Sequence, residues 1–295
     1  MRKAQSIAAR KEQHWAWLMV APTIIGLLVL NYYPLIETFI LSFSKTKTFG
    51  ASTFNGIDNY IQMFQSPEFW KATWNTILFC ILTVPVGIIL ALLVALLLNA
   101  KVKFKGGFRA IYFLPMVCAP AAIAMVWRWM FNGEYGIINQ ILGTKISWLT
   151  DPKTAIVACA IVAIWSSIGY DAVLLLSGLQ NISKSYYEAA RIDGAGRIKQ
   201  FFSITVPMIT PIIFYNLVTQ ICQAFQEFNG PFIITNGGPR GSTTLISILV
   251  YNYAFKSNQM GMASALAWIM FVIVCILTII AFTSQKKWVY YSDER

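Results

Sequence analysis

Residues Tyr186–Pro211 read YYEAARIDGAGRIKQFFSITVPMITP, a charged, glycine-broken stretch in a chain that is otherwise apolar enough for lipid. Within a dozen residues it carries Glu188, Arg191, Asp193, Arg197 and Lys199, with Gly194 and Gly196 among them. Ser185 and Glu188 have the S-x-x-E spacing of a capping box, which predicts a helix starting at Ser185. Ala189, Ala190, Arg191 and Ile192 continue it, and Gly194 or Gly196 is expected to end it. A second short helix is expected over Arg197–Phe202, leading into an apolar run at Pro207. The segment thus reads as a helix–turn–helix outside the membrane. Its Ala189-Ala190 face is small enough to seat in a cleft, and its acids suit a protein partner better than a lipid surface.

What flanks this segment sets the fold class. Of 295 residues, 57% are hydrophobic and only 12% charged, the balance of a polytopic membrane protein rather than a soluble domain. Six apolar runs are long enough to cross about 30 Å of hydrocarbon as helices: roughly Trp15–Phe43, Ala72–Leu98, Phe108–Phe131, Thr154–Leu179, Ile204–Phe225 and Met260–Phe282. The expected fold is all-α, one six-helix membrane domain over residues 15–283. Tails are expected at 1–14 and 284–295, and the polar loop at about 180–203. Asn31, Pro34 and Glu37 interrupt the first run, so its two halves are expected to bend apart. The first run is too long, and lacks the small-residue cleavage site, for a signal peptide.

Basic residues orient the bundle. Four lie in the amino-terminal tail (Arg2, Lys3, Arg10, Lys11), four in the second loop (Lys101, Lys103, Lys105, Arg109) and four in the fourth (Lys184, Arg191, Arg197, Lys199). Three more close the chain (Lys286, Lys287, Arg295), against seven in the alternate loops. By the positive-inside rule both termini, and the opening stretch, are expected in the cytoplasm. The net charge of +11 follows from these flanks meeting anionic headgroups and calls for no nucleic acid. The short segment Ser242–Phe255 is expected to lie along the outer interface. Gly261, Ala263, Ser264, Ala265 and Ala267 mark a packing face on the last span.

Catalytic chemistry finds little support. The five cysteines fall one each in spans two to six without a CxxC pair, so they are expected to be reduced packing residues. His14 is the single histidine, too few for a metal set or a nucleophile–base pair. There is no G-x-x-x-x-G-K-[ST] loop and no HExxH; DGAGR lacks the preceding strand of a phosphate loop. The chain is not expected to be an enzyme, to bind a cofactor or to hydrolyse ATP.

Two polar patches interrupt the later spans. Asn216, Gln220, Gln223 and Glu227 fall at i, i+4, i+7 and i+11, a single stripe on the fifth span. Ser167, Tyr170 and Asp171 share a face of the fourth. Such residues face protein or a water-filled path, not lipid, and their carboxamides, hydroxyls and phenol suit sugar hydroxyls and pyranose faces. The alternative is hydrogen bonding between helices. Glu37 and Arg128 read as snorkelling to the outer headgroups. Asp171 is deeper, and binding a hydroxyl, pairing with a neighbouring subunit and lining a gate all stay open for it.

Glu188-Ala189-Ala190, then Gly194, then Ile204-x-Val206-Pro207 resembles the EAA loop of ABC-importer permeases, EAA-x3-G-x9-I-x-L-P, with Val206 the one departure. NYYPLIETFILSF, GIDNYIQMFQSPEFWKATWNT, FLPMVCAPAAIAMVWRWMFNGEYGIINQIL, LSGLQNISKSYYEAARIDGA and FNGPFIITNGGP extend the likeness over nearly the whole chain. They are similar to sugar permeases of the maltose-transporter type, the first of the two permeases in such systems. The resemblance implies a type I ABC-importer permease fold in a prokaryotic plasma membrane. It also implies a second homologous permease, two ATPase subunits using ATP and Mg, and an extracytoplasmic solute-binding protein. It assigns Glu188, Ala189, Ala190, Arg191, Asp193 and Gly194 to ATPase coupling. Substrate contacts fall on the helices of Ser167, Tyr170, Asp171, Asn216, Gln220, Gln223 and Glu227, with an aromatic at Tyr170. It sets Thr235–Pro239 near the docking surface of the binding protein. The large external loop and additional helices of the enteric maltose permease are missing here, so contacts through them are not carried over. A permease for glycerol phosphate or an acidic oligosaccharide, and a proton-coupled secondary transporter, are the competing readings; ATP dependence of uptake separates the last.

Overall fold

The computed structural model describes residues 2–46, 52–100 and 105–291. Lys47, Lys101, Lys103 and Arg295 lie outside these residues, and the side chains of Arg2, Lys3, Arg10, Lys11, His14, Lys105 and Arg109 outside the described side chains. Helix α1 (Arg2–Leu27) runs into α2 (Tyr33–Ser42) through a π turn, Leu28–Tyr32. The first run is thus continuous through Trp15–Ser42, with a π turn at the place where a bend was expected. Pro34 has no N–H for the ladder, and Tyr33 N instead donates to Leu28 O, five residues back. Strands β1 (Ser44–Lys45) and β2 (Thr53–Phe54) pair antiparallel, Ser44 opposite Phe54, before α3 (Asp58–Gln65).

Helix α4 (Pro67–Asn99) starts with Pro67 in its first turn, where the missing N–H costs nothing, and Glu68 near the positive end of the dipole. The expected third span is two helices, α5 (Lys105–Val117) and α6 (Pro120–Met130), broken at Cys118–Ala119. Pro120 explains the break: it forces Ala119 into an extended conformation (φ −61°, ψ 127°) and opens α6. Short α7 (Ile137–Leu142) precedes α8 (Pro152–Asn181), whose Asp151 cap accepts from Lys153 N at 2.9 Å.

The opening stretch forms α9 (Lys184–Ile192) and α10 (Arg197–Gln200), then a π turn, Phe201–Thr205, leading directly into α11 (Val206–Gln226). After α12 (Asn229–Thr235) and α13 (Ile246–Tyr251) comes a third π turn, Asn252–Lys256, and the chain ends in α14 (Met260–Trp288). Among the described residues five helical runs are long and apolar enough to cross a membrane, and α5–α6 is the sixth expected segment in two pieces. Of the segment expected along the outer interface, the part around α13 packs inside the protein, while Phe255 at its end is exposed. Leu245, Ile246, Ile248 and Leu249 are all buried, because Ile246 N donates to Thr76 Oγ1 (2.9 Å) and ties the segment to α4.

The chain divides into two compact units, Met1–Met63 with Asn252–Trp268 and Phe64–Tyr251 with Ile269–Arg295. In the larger, α4 lies along α8. Ala91 and Ala95 meet Ala172 and Leu175 in a buried cluster that also takes in Ile209 of α11. Lipid tails are as apolar as leucine, so close packing of small residues holds such helices together. Side-chain amides close the loops. Asn75 Nδ2 donates to Gly241 O (2.8 Å) and Thr244 O (3.0 Å), and Asn139 Nδ2 donates to Gly133 O (3.0 Å) and Ile146 O (2.9 Å).

In the smaller unit Asn59 Nδ2 donates to Ser42 O (2.8 Å) and Ser44 O (3.0 Å). Trp268 meets Phe39 edge-on, with ring centroids 4.9 Å apart. Gly261, expected on a packing face, is where the backbone of α14 meets β1: a Cβ there would fall 1.9 Å from Ser44 O. At Gly178 the corresponding neighbour is the tip of the Ile212 side chain, which can turn aside. Gly261→Ala is therefore expected to destabilise the purified protein by about 2–4 kcal/mol. Gly178→Ala is expected to cost less than about 1.5 kcal/mol, and thermal melts of the two variants side by side check the ordering.

Candidate functional site

Helices α8 and α11 carry both parts of the candidate site, the polar loop between them and a cavity along their length. Ile182 and Ser183 link α8 to α9, and Ser183, not Ser185, is the N-cap: its Oγ accepts from Ser185 N at 3.4 Å. The capping-box expectation is corrected accordingly, since Tyr186 occupies the position a reciprocal glutamate needs and Glu188 is exposed. Ile182 is buried in the same cluster against which Tyr187 packs, the arrangement of a hydrophobic staple fixing how the chain enters a helix. At the other end Asp193 N returns to Ala189 O (3.0 Å) and Ala195 N to Ala190 O (2.8 Å). Gly194 stands at φ +74°, a left-handed position where glycine carries no Cβ penalty.

The loop shows one face to the protein and another to its surroundings. Tyr187 and Ala190 are half-buried, whereas Glu188, Ala189, Arg191, Asp193 and Gly194 are exposed. With them stand apolar side chains without cover: Ile192 is 87% exposed, Ile198 77% and Phe202 66%. Inside, the Tyr187 hydroxyl hydrogen-bonds Thr205 Oγ1 (2.9 Å) in the π turn that begins the path into α11. Buried Gln200 donates through Nε2 to Ala195 O (2.8 Å) and holds the glycine turn closed.

Deeper along the same helices the two predicted polar patches meet. Asp171 is only 2% exposed; its carboxylate accepts from Gln220 Nε2, while Ser167 Oγ donates to Ile164 O at 3.3 Å. Gln220 Nε2 also reaches Ser167 Oγ (3.2 Å). Asn216, fully buried, donates to Asp171 O at 3.5 Å. Asp171 and Asn216 thus face the helix interface. Ser167, Tyr170, Gln220, Gln223 and Glu227 line a cavity of about 570 Å³, within the range of small-molecule sites. Its other walls come from α4 and from the broken span, whose break residue Cys118 lines it together with Pro115 and Pro120.

Glu227 has a second task. Its Oε1 accepts from Gly230 N at 2.9 Å, capping α12, and its carbonyl accepts from Ser247 Oγ. Arg128 is exposed, with Nη1 donating to Ile233 O at 3.4 Å, and Glu37 is exposed. The loop at Thr235–Pro239 is held by a Thr235–Thr243 hydroxyl pair (2.6 Å). Thr83, Ser166, Tyr215 and Thr219 also line the cavity and were not singled out from sequence. Tyr215 and Thr219 precede Gln223 at i, i+4 and i+8, a second stripe beside the first, and this spacing was the available signal. Tyr170 of α8 and Tyr215 of α11 both line the cavity.

Comparison with known proteins agrees with this architecture. Residues 83–289 match the family model described as binding-protein-dependent transport system inner membrane component. The chain is 37% identical over 303 residues to a probable ABC transporter permease protein, YesP, of Bacillus subtilis, covering 100% of this chain and 97% of that one. It is 35% identical over 275 residues to the trehalose/maltose transport system permease protein MalF of Thermococcus litoralis, covering 92% and 93%. A crystal structure of a bacterial ABC transporter involved in import of the acidic polysaccharide alginate superposes with TM-score 0.82 at 24% identity, over 97% of this chain and 99% of that one; at that identity the likeness concerns the fold.

The Tyr187–Thr205 contact gives a direct test of how the loop is anchored. Tyr187→Phe and Thr205→Val are each expected to destabilise, and the double variant by less than their sum. A coupling on the order of 1 kcal/mol in thermal melts of the purified protein is the expected result.

Proposed function

Because the chain belongs to the family of binding-protein-dependent transport system inner membrane components, we propose that it forms one half of an alternating-access path importing a sugar or oligosaccharide. The proposed second half is a homologous permease. Two ATPase subunits on the cytoplasmic side use ATP and Mg, and an extracytoplasmic binding protein delivers the solute. Both termini and the α9–α10 loop lie in the cytoplasm, as the distribution of lysine and arginine favours.

One observation carries the coupling role. A short helix stands clear of the bundle with uncovered Ile192 and Ile198 beside exposed Glu188, Ala189 and Gly194, while its inner face is fixed to α11 through Tyr187. Exposed apolar residues rimmed by charge suit a protein cleft. In this reading the ATPases, closing on ATP, move α9, and α8 and α11 tilt with it. The driving free energy is the difference in ATP affinity between the two states, for which this loop is the mechanical link.

The solute path is assigned to the cavity of Ser167, Tyr170, Gln220, Gln223 and Glu227. The sugar class is supported by the carboxamides, hydroxyls and phenols of its wall and by the relative named for trehalose and maltose. Asp171 and Asn216 act from behind that wall. This chain carries no catalytic role, and ATP hydrolysis belongs to the partner subunits.

Uptake of labelled sugar by proteoliposomes holding the whole complex tests the assignment. Glu188→Ala combined with Gly194→Val is expected to lower ATP-driven uptake to background while the binding protein keeps its affinity for sugar within about twofold. Val at φ +74° strains the turn by at least about 1 kcal/mol. Normal uptake by the double variant contradicts the coupling role, and uptake driven by a proton gradient without ATP contradicts the class.

A further inference from the structure

The hydrogen-bond polarity of the cavity wall goes beyond its assignment to sugar in general, on which the following rests. Glu227 is the one charged side chain among the described residues that line it, and neither Lys nor Arg is present. Most of its hydroxyl protons are committed elsewhere. Thr83 Oγ1 donates to Phe79 O (2.8 Å), Ser166 Oγ to Val162 O (2.9 Å) and Thr219 Oγ1 to Tyr215 O (2.9 Å), each within its own helix. What these oxygens retain for a ligand is lone pairs, so the side-chain amide donors of the wall are those of Gln223 and Asn229.

Gln220 is set the same way. A carboxylate can only accept, so the side of the Gln220 amide that meets Asp171 must be its NH2 group. The structure has Nε2 turned to Asp171 and to Ser167 Oγ. The Oε1 acceptor is then the end of the amide that remains for the cavity. The orientation follows from the chemistry of the partner and holds whichever way an isolated amide would be drawn.

We infer that this cavity, with the Glu227 carboxyl and no cation in its wall, selects uncharged, hydroxyl-rich saccharides against acidic ones, with Asp171 as the positioning residue that keeps Gln220 turned acceptor-outward. A neutral pyranose brings several O–H donors to such a wall. A uronate or sulfonate brings an anion that meets the Glu227 carboxyl and acceptor oxygens with no cation to balance it, in surroundings where like charges repel more strongly than in water. The selectivity sits in this chain's α8 and α11, in addition to whatever the binding protein selects.

Cys118 makes the site readable, since it is exposed and lines the cavity. The experiment measures the alkylation rate of Cys118 by an uncharged maleimide, quantified by peptide mass spectrometry. It uses the assembled nucleotide-free complex in nanodiscs, with maltose, trehalose or lactose, or with disaccharides carrying glucuronate in place of one glucose. Protection by at least one neutral sugar is expected at concentrations about tenfold lower than by its acidic counterpart. In Asp171→Asn, which preserves shape but lets Gln220 turn, that ratio is expected to fall towards one, while Asp171→Glu retains part of it. Loss of stability alone leaves the ratio unchanged, so the readout separates positioning from folding. Equal or better protection by the acidic sugars overturns the charge selection. A ratio unchanged in Asp171→Asn overturns the role of Asp171. If no sugar of either kind protects Cys118, the assignment of the solute path to this cavity falls with it.

Discussion

A carboxylate inside a membrane helix is tolerable only where donors replace the water it has lost, and Asp171 has such donors. Placing an unsupported acid at the centre of a span costs about 2.5–3.5 kcal/mol or more. Gln220 of α11 donates to the Asp171 carboxylate directly, and Asn216 donates to the backbone carbonyl of the same residue. Sliding α8 against α11 would strand the carboxylate, so the two helices are held in one register. The polar loop joins the lower ends of this pair, and the cavity runs along its flank. In the proposed coupling, a displacement of α9 would reach helices that are bound to each other through Gln220 and Asp171.

The same economy governs the rest of the bundle. Wherever backbone leaves the helical ladder it must find partners without help from water. Buried asparagines supply them: Asn59 donates to carbonyls at the end of α2 and in β1, and Asn75 and Asn139 each donate to two loop carbonyls. Alanines and glycines let the backbones between approach closely, most tightly where Gly261 admits Ser44 O. Non-helical chain borders the cavity at the Cys118–Ala119 break and at Glu227 between α11 and α12, the setting in which irregular backbone is tolerated at membrane depth.

Much of this was legible in the sequence. Apolar run length located the spans, because hydrocarbon thickness imposes it, and Gly194 ended α9 because few other residues adopt its backbone angles. The periodicity of Asn216, Gln220, Gln223 and Glu227 found the polar face but could not divide it. Seven residues bring an α-helix back to within about 20° of the same face, so Asn216 and Gln223 differ in depth and not in direction: about 10 Å apart along α11, the first meets α8 and the second the cavity. The capping residue was misplaced by two positions since Ser183 and Ser185 are chemically alike, and the choice fell to the staple of Ile182 with Tyr187, a tertiary contact. The interior place of Ile246–Tyr251 was hidden for a similar reason: amphipathic and buried segments of six residues look alike until a donor pair such as Ile246 N and Thr76 is known. The tie between Glu227 and Gly230 N was equally invisible, although a glutamate three residues ahead of a glycine-proline pair was a hint of a cap.

The central claim is that the exposed face of α9 is where an ATPase engages this chain. A photo-crosslinking residue at Ile192, 87% exposed and outside the internal hydrogen bonds of the loop, measures this directly in membranes containing the assembled transporter. The expected result is a covalent adduct with the ATPase subunit whose yield changes when ATP is added. Irradiation that yields adducts only with lipid or with the extracytoplasmic binding protein, at any nucleotide concentration, would contradict the account.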